Sequence, residues 1–181
     1  MSLSRRSPGL SGTSLGHMTT HATTLHATRA ITEPVLAELR ASDDAGRPTT
    51  AVTDAEGGAP LRCCLRRSEP GERIALVSYA PLRRWAADTG AEPGAYDEQG
   101  PVFIHAEPCG GPASRDGLAF TGAHRVLRRY SRDGRILGGR LVTPPEDFET
   151  ALSEAFTDPE VALVHVRAVE YGCFLYEVRR A

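Results

Sequence analysis

The chain consists mainly of short apolar runs separated by polar segments rich in glycine and proline. Within these runs apolar and polar residues alternate, which is typical of β-strands that bury one face. The pattern predicts strands over 50–53, 61–66, 74–79, 100–105, 124–130, 135–142, 161–167 and 172–179. Two turn signals, Pro70-Gly71 and Asp133-Gly134, predict hairpins that join 61–66 to 74–79 and 124–130 to 135–142.

Helical periodicity is confined to two segments. The first opens with Thr32 and Pro34 and places Val35, Leu36 and Leu39 on one face. The second follows a predicted capping box over 143–146. Its apolar residues recur at helical spacing: Phe148, Ala151, Leu152, Ala155 and Phe156.

These elements predict an α+β fold: a mixed, mostly antiparallel sheet with two or three helices packed mainly on one face. We expect residues 1–30, rich in Ser, Thr, Gly and His, to be a disordered tail or an extension added by cloning. Residues 31–181 then form a single domain. Residues 80–99 are interpreted as a connection long enough to serve as a lid over a site.

Composition and charge exclude several classes of protein. With 40% hydrophobic residues, 24% charged residues and a formal net charge of −2, the chain resembles an ordinary globular protein. We therefore expect neither a nucleic-acid partner nor a membrane, and a homodimer is left open. All 21 basic residues are arginines, which excludes a lysine Schiff base and the lysine of a phosphate-binding P-loop.

The four cysteines, Cys63, Cys64, Cys109 and Cys173, show no C-x-x-C or zinc-finger spacing. Cys63 and Cys64 are adjacent, so on a strand they would point to opposite faces and would not easily share one metal. We interpret the cysteines as reduced thiols packed as small hydrophobes in a cytoplasmic protein. No cofactor and no metal are predicted from them.

Chemistry is expected near Gly100-Pro101-Val102-Phe103-Ile104-His105, an apolar strand with an imidazole at its exit. The predicted function is that of an enzyme acting by general acid/base chemistry on a small anionic molecule, a carboxylate or phosphate, in a pocket centred on His105. The predicted catalytic residues are His105, Tyr79 and Cys64. The predicted substrate-binding residues are Arg62, Arg128, Tyr130, His165 and Cys173, because arginine, histidine and tyrosine on strands suit a small anion.

Two alternatives from other classes remain. In the first, His105, His124 and His165 converge from different strands on a divalent metal, which would make the protein a metal-dependent enzyme. In the second, the protein is a non-catalytic ligand-binding or interaction module whose polar strand residues are structural. The sequence does not assign a reaction.

Several short motifs resemble the bacterial family called domain of unknown function 1203, over roughly residues 30–181. The motifs are Arg62-x-Cys64-Leu65, Glu69-Pro70-Gly71-Glu72, Leu76-x-Ser78-Tyr79, Gly100-Pro101-x-Phe103-Ile104-His105-Ala106, Asp158-Pro159, Val164-His165-Val166 and Gly172-Cys173-Phe174. The resemblance implies no activity, but it strengthens the choice of His105. The chain departs from the family pattern at Leu61, where a cysteine is frequent, and at Arg167 and Ala168, where a histidine and an asparagine are frequent.

Overall fold

The computed structural model describes residues 26–113, 119–143 and 147–180. Within these ranges, three α-helices and eight strands confirm the α+β class. The strands are β1 (His26–Arg29), β2 (Ala51–Asp54), β3 (Glu72–Tyr79), β4 (Gly100–His105), β5 (Arg125–Tyr130), β6 (Ile136–Val142), β7 (Leu163–Ala168) and β8 (Phe174–Arg180). The helices are α1 (Glu33–Ala41), α2 (Pro81–Thr89) and α3 (Phe148–Ala155).

The strands form two antiparallel sheets. Five strands lie in the order β1-β8-β7-β5-β6, and three lie in the order β2-β3-β4. The predicted hairpin of β5 and β6 is present, with Gly134 of its turn at a φ of 81°. The predicted pairing of β3 with residues 61–66 is wrong, because β3 pairs on one side with β2 and on the other with β4.

Strand β1 lies in the segment that the sequence assigned to a tail. Its residues pair with β8 at the edge of the five-stranded sheet, with Ala27 opposite Arg179. The strand is held by backbone pairing with the open edge of β8, so the polar composition of this segment does not indicate it. The ordered fold therefore begins no later than residue 26, and residues 1–25 lie outside the described part of the chain.

Helix α2 occupies about half of the segment 80–99, which the sequence predicts to be a connection without regular structure. Pro81 occupies the first helical position, and Gly90 ends the helix in the left-handed conformation at a φ of 76°. Leu82, Trp85 and Ala86 share a buried face and pack with residues of β5 and β7. The lid interpretation is therefore wrong for residues 81–89, because an amphipathic helix there belongs to the core.

The other two helices match their predicted apolar faces. Leu36 and Leu39 of α1 pack into the core of the three-stranded sheet, and α3 packs on the five-stranded sheet. Asp147 caps α3 by accepting a hydrogen bond from the Glu149 amide, while residues 144–146 of the predicted capping box lie outside the described ranges. None of the described helices has the length and apolar character that spanning a membrane requires.

Asp43 joins α1 to the three-stranded sheet. Its carboxylate accepts backbone hydrogen bonds from Ala45, Arg47 and Ser78 and pairs with the Arg47 side chain at 2.8 Å. Burial opposes ionisation, but the Arg47 side chain and these amides outweigh it and lower the pKa of Asp43 to about 2.

We expect Asp43→Asn to destabilise the protein by about 1–3 kcal/mol at pH 7, because the amide cannot replace a carboxylate that accepts this many hydrogen bonds. The pKa of Asp43 is lower in the folded than in the unfolded chain, so the stabilisation is complete above about pH 4. It is lost as the pH falls towards 2. Urea unfolding between pH 2 and 7 measures the difference. Asp133→Asn at the exposed β5–β6 turn is the matched control, and a difference that does not shrink at low pH would contradict this account.

Candidate functional site

Residues 61–66 form a compact turn and not the predicted strand. The Leu61 amide donates to the Arg66 carbonyl at 2.9 Å, and the Leu65 amide donates to the Leu61 carbonyl at 3.0 Å. Leu65 has a φ of 57°, a left-handed conformation that costs an ordinary residue about 1 kcal/mol or more. The turn closes on itself, so Cys63 and Cys64 do not alternate across a sheet. The prediction that they point to opposite faces is wrong for this reason.

The turn is fixed against the end of β4. Leu61 forms a parallel bridge with Phe103, and the Arg62 amide donates to the Phe103 carbonyl at 2.9 Å. A second bridge joins Pro60 to Arg67 and closes the base of the turn. Because His105 follows Phe103 on the same strand, these bonds place the two cysteines beside its imidazole.

Four side chains converge at this point: Cys63, Cys64, His105 and Cys109. One ligand atom from each lies within 4.8 Å of all the others. The Cys63 and Cys64 sulfurs lie 3.3 and 3.7 Å from Nδ1 of His105. Cys63, Cys64 and His105 are buried, and Cys109 is half-buried. We refer to these four residues as the thiol–imidazole cluster.

The second ring nitrogen of His105 faces a carboxylate. Nε2 lies 3.4 Å from Oε1 of Glu72 and 3.3 Å from Nη2 of Arg66, which itself holds that carboxylate oxygen at 2.5 Å. The Arg66 guanidinium, with the Glu69 amide, lowers the pKa of Glu72 to about 2, so this carboxylate is ionised at neutral pH. A histidine that binds through one nitrogen and faces a carboxylate with the other is the usual arrangement of a metal ligand.

The two adjacent thiols differ in acidity. Cys63 donates a hydrogen bond to Cys64 across 3.9 Å, which lowers the pKa of Cys64; burial opposes this shift, and Arg66 and His105 add to it. The same hydrogen bond, together with burial, raises the pKa of Cys63. The cluster therefore favours a thiolate at Cys64, the form that binds metals and attacks electrophiles.

The spacing of the ligand atoms suits a tetrahedral metal. With Zn–S bonds of about 2.3 Å and Zn–N bonds of about 2.0–2.1 Å, neighbouring ligand atoms lie about 3.5–3.8 Å apart. The observed separations of 3.3, 3.7 and 3.9 Å are close to these values. Three sulfurs and one imidazole form a ligand set that zinc accepts. The cluster has the residues for a Cys₃His centre.

Of the predicted catalytic residues, the structure brings His105 and Cys64 together. Tyr79 ends β3 and lies against Phe174, with ring centroids 5.6 Å apart. It is not a member of the thiol–imidazole cluster.

The predicted substrate-binding residues are dispersed. The buried Arg62 guanidinium donates to the Phe174 carbonyl at 2.8 Å and to the Pro60 carbonyl, so it has a structural role there. Arg128 pairs with Glu98 at 2.6 Å. The Cys173 thiol contacts the Tyr171 carbonyl at 3.6 Å.

His165 lies in the core of the five-stranded sheet. Its ring packs against Tyr130 and Phe174 at centroid distances of 4.6 and 5.1 Å. Burial lowers the pKa of His165, although Glu177 lies 3.5 Å away and favours its charged form. Within the described part of the chain, neither His165 nor His124 belongs to a metal-capable group with His105.

Sequence reasoning missed Cys63 and Cys109 as site residues. One usable signal was the spacing His105-x-x-x-Cys109, which lies within the range of zinc-ligand pairs. The other usable signal was the adjacent pair of cysteines, because two adjacent side chains can lie together when they stand in a turn and not in a strand.

If the thiol–imidazole cluster binds a metal, Glu72→Gln should weaken that binding about 10- to 100-fold, because the neutral amide orients the His105 ring less strongly than the carboxylate does. Competition against a chromophoric chelator measures the affinity. Glu107→Gln is the matched control, because Glu107 forms an exposed ion pair with Arg73 at 3.3 Å. Equal affinities in Glu72→Gln and the wild type would contradict a role for this carboxylate.

Fold and site together define a two-sheet α+β protein with a buried thiol–imidazole cluster. The model of the family described as protein of unknown function (DUF1203) matches residues 58–180, and the chain belongs to that family. The match contains all four residues of the cluster. No curated protein and no solved structure matches the chain.

Proposed function

We propose that the protein binds one zinc ion through Cys63, Cys64, Cys109 and His105. The observation that carries the proposal is the convergence of four ligand atoms within 4.8 Å from two separate parts of the chain. Glu72 supports it, because this ionised carboxylate lies beside Nε2, the imidazole nitrogen that faces away from the cysteines. A reducing compartment such as the cytoplasm, where we expect the protein, keeps the thiols available as ligands.

The ligand count favours a stabilising centre. Four protein ligands fill a tetrahedral zinc ion, whereas catalytic zinc usually keeps one position for water or substrate. The ion would cross-link the 61–66 turn, the end of β4 and the segment that follows it. Its role in this proposal is to hold these segments in place.

Cobalt(II) replacement tests this ligand set. The apo protein is titrated with Co²⁺, and the thiolate-to-cobalt absorption is measured together with the bands of tetrahedral cobalt. We expect one equivalent to saturate the signal, and Cys109→Ala to lose about a third of the thiolate absorption. Cys173→Ala, outside the cluster, retains the full signal. An octahedral spectrum, or a signal unchanged in Cys109→Ala, would contradict the proposal.

A metal-free thiolate–imidazole pair is the second candidate. Cys64 is 9% exposed whereas Cys63 is fully buried, and the Cys64 sulfur lies 3.7 Å from Nδ1 of His105. In this case Cys64 is a nucleophile, His105 transfers protons, and the substrate is a small anionic molecule. The support is weaker because Arg62 and Arg128, predicted to hold the anion, have partners elsewhere.

Alkylation separates the two candidates. If Cys64 is a ligand, one equivalent of zinc should slow its alkylation by iodoacetamide at least tenfold. Peptide mass spectrometry measures the rate of this alkylation. If the pair is a metal-free nucleophile, zinc has no effect, and His105→Ala slows the reaction instead. Cys173 on the same protein is the internal reference.

A further inference from the structure

A cavity of about 100 Å³ lies where the two sheets meet α1 and α2. None of the four residues of the thiol–imidazole cluster lines it. Its wall includes Tyr79 at the end of β3, Trp85 of α2 and Phe174 of β8. Since a buried water occupies roughly 10–15 Å³ of such space, the cavity accepts a molecule of roughly seven non-hydrogen atoms.

Three arginines contribute positive charge to this cavity: Arg29, Arg84 and Arg179. Arg84 is balanced by Asp44 at 2.6 Å and by Glu38. The Arg29 side chain is exposed and forms no ion pair or hydrogen bond in the described ranges, although Arg29 lies opposite Glu177 in the β1–β8 pairing.

The acidic residues that line the cavity do not use all of the N–H donors that its arginines offer. Glu177 is 7% exposed, and its carboxylate accepts a hydrogen bond from Arg179. Burial disfavours its ionisation, but His165 and Arg179 outweigh burial and keep the pKa of Glu177 below its ordinary value. Asp88 is exposed at the rim. Because one guanidinium has five N–H donors, the arginines retain donors that these contacts do not use.

Tyr79 adds a donor from inside the fold. Its side chain is 8% exposed, and its hydroxyl forms no hydrogen bond with the residues that the structure describes. The hydroxyl is therefore available to donate a hydrogen bond to a ligand oxygen in the cavity. Trp85 and Phe174 provide apolar surface beside it.

We propose that this cavity binds a small organic carboxylate, with the carboxylate oxygens held by Arg29 and the Tyr79 hydroxyl. The short apolar part of the molecule contacts Trp85 and Phe174. The volume of about 100 Å³ accommodates a ligand of about the size of butyrate. This site is additional to the proposed zinc centre and does not depend on it.

Trp85 is the only tryptophan of the chain and lines the cavity, so its fluorescence reports on occupancy. The wild-type protein is titrated with butyrate, with butyramide as the uncharged molecule of the same shape, and with inorganic phosphate. We expect a saturable change with butyrate and at least tenfold weaker binding of butyramide. No saturable response to butyrate, an equal response to butyramide, or a response to phosphate alone would overturn the proposal.

Two conservative variants locate the binding. Arg29→Gln removes a charge from an exposed side chain, and Tyr79→Phe removes only the hydroxyl, so both are expected to fold. Each should weaken butyrate binding at least about fivefold. Arg132→Gln, at the exposed β5–β6 turn, is the matched control and should bind as the wild type does. Unaltered affinity in either Arg29→Gln or Tyr79→Phe would overturn the assignment.

Discussion

Cys63→Ala is expected to lower the zinc affinity of the protein by about a hundred- to a thousandfold. Structural zinc sites in small peptides bind with about 10–16 kcal/mol, which shared among four ligands is about 3–4 kcal/mol for each. Cys63 is fully buried beside His105, so water replaces its sulfur poorly. Chelator competition at fixed pH measures the change.

Cys109→Ala should cause a loss of the same order, because Cys109 supplies another of the four ligand atoms. Cys173→Ala is the matched control, since its thiol contacts the Tyr171 carbonyl outside the cluster. If Cys63→Ala binds zinc as tightly as Cys173→Ala does, the four-ligand assignment is wrong.

Removal of the metal is expected to loosen one part of the fold selectively. The ion would cross-link the turn over 61–66 to the end of β4, so its loss should speed amide exchange over 59–67 and 105–109 at least tenfold. Strands β5 and β7 bury Leu127, Val164 and Val166 in a separate core cluster and should keep their protection. Hydrogen exchange with mass spectrometry, before and after chelation, measures both regions.

The chelated protein needs a control for effects of the chelator itself. Cys63→Ala without chelator should show the same pattern of exchange, and added zinc should restore protection in the wild type alone. Uniform loss of protection over both sheets would show that the metal supports the whole fold. No change in 59–67 would contradict a cross-link at this turn.

Periodicity predicted most of the strands, because apolar residues alternate with others along part of each. Buried Ala75, Val77 and Tyr79 of β3 show this alternation. The failures have physical causes. Backbone pairing at a sheet edge, as in β1, leaves no apolar signal, and helix α2 places Arg83, Arg84 and Asp88 among its few apolar residues.

The site was only partly predictable for a related reason. His105 could be predicted, since an imidazole on an apolar strand requires a partner. Its cysteine partners depend on the turn over 61–66, and that turn depends on Leu65 adopting a left-handed conformation. Alternation of residues in the sequence carries no information about such a turn. The adjacent cysteines were therefore assigned to opposite faces of a strand that does not exist.

The most direct test of the zinc centre is elemental analysis of the full chain, produced in zinc-containing medium and purified without a histidine tag. The Cys63→Ala, Cys109→Ala double variant is analysed beside it and measures any metal held elsewhere. We expect about one zinc ion per wild-type chain and background levels in the double variant. Equal metal content in the two proteins, or none in either after incubation with zinc, would contradict it.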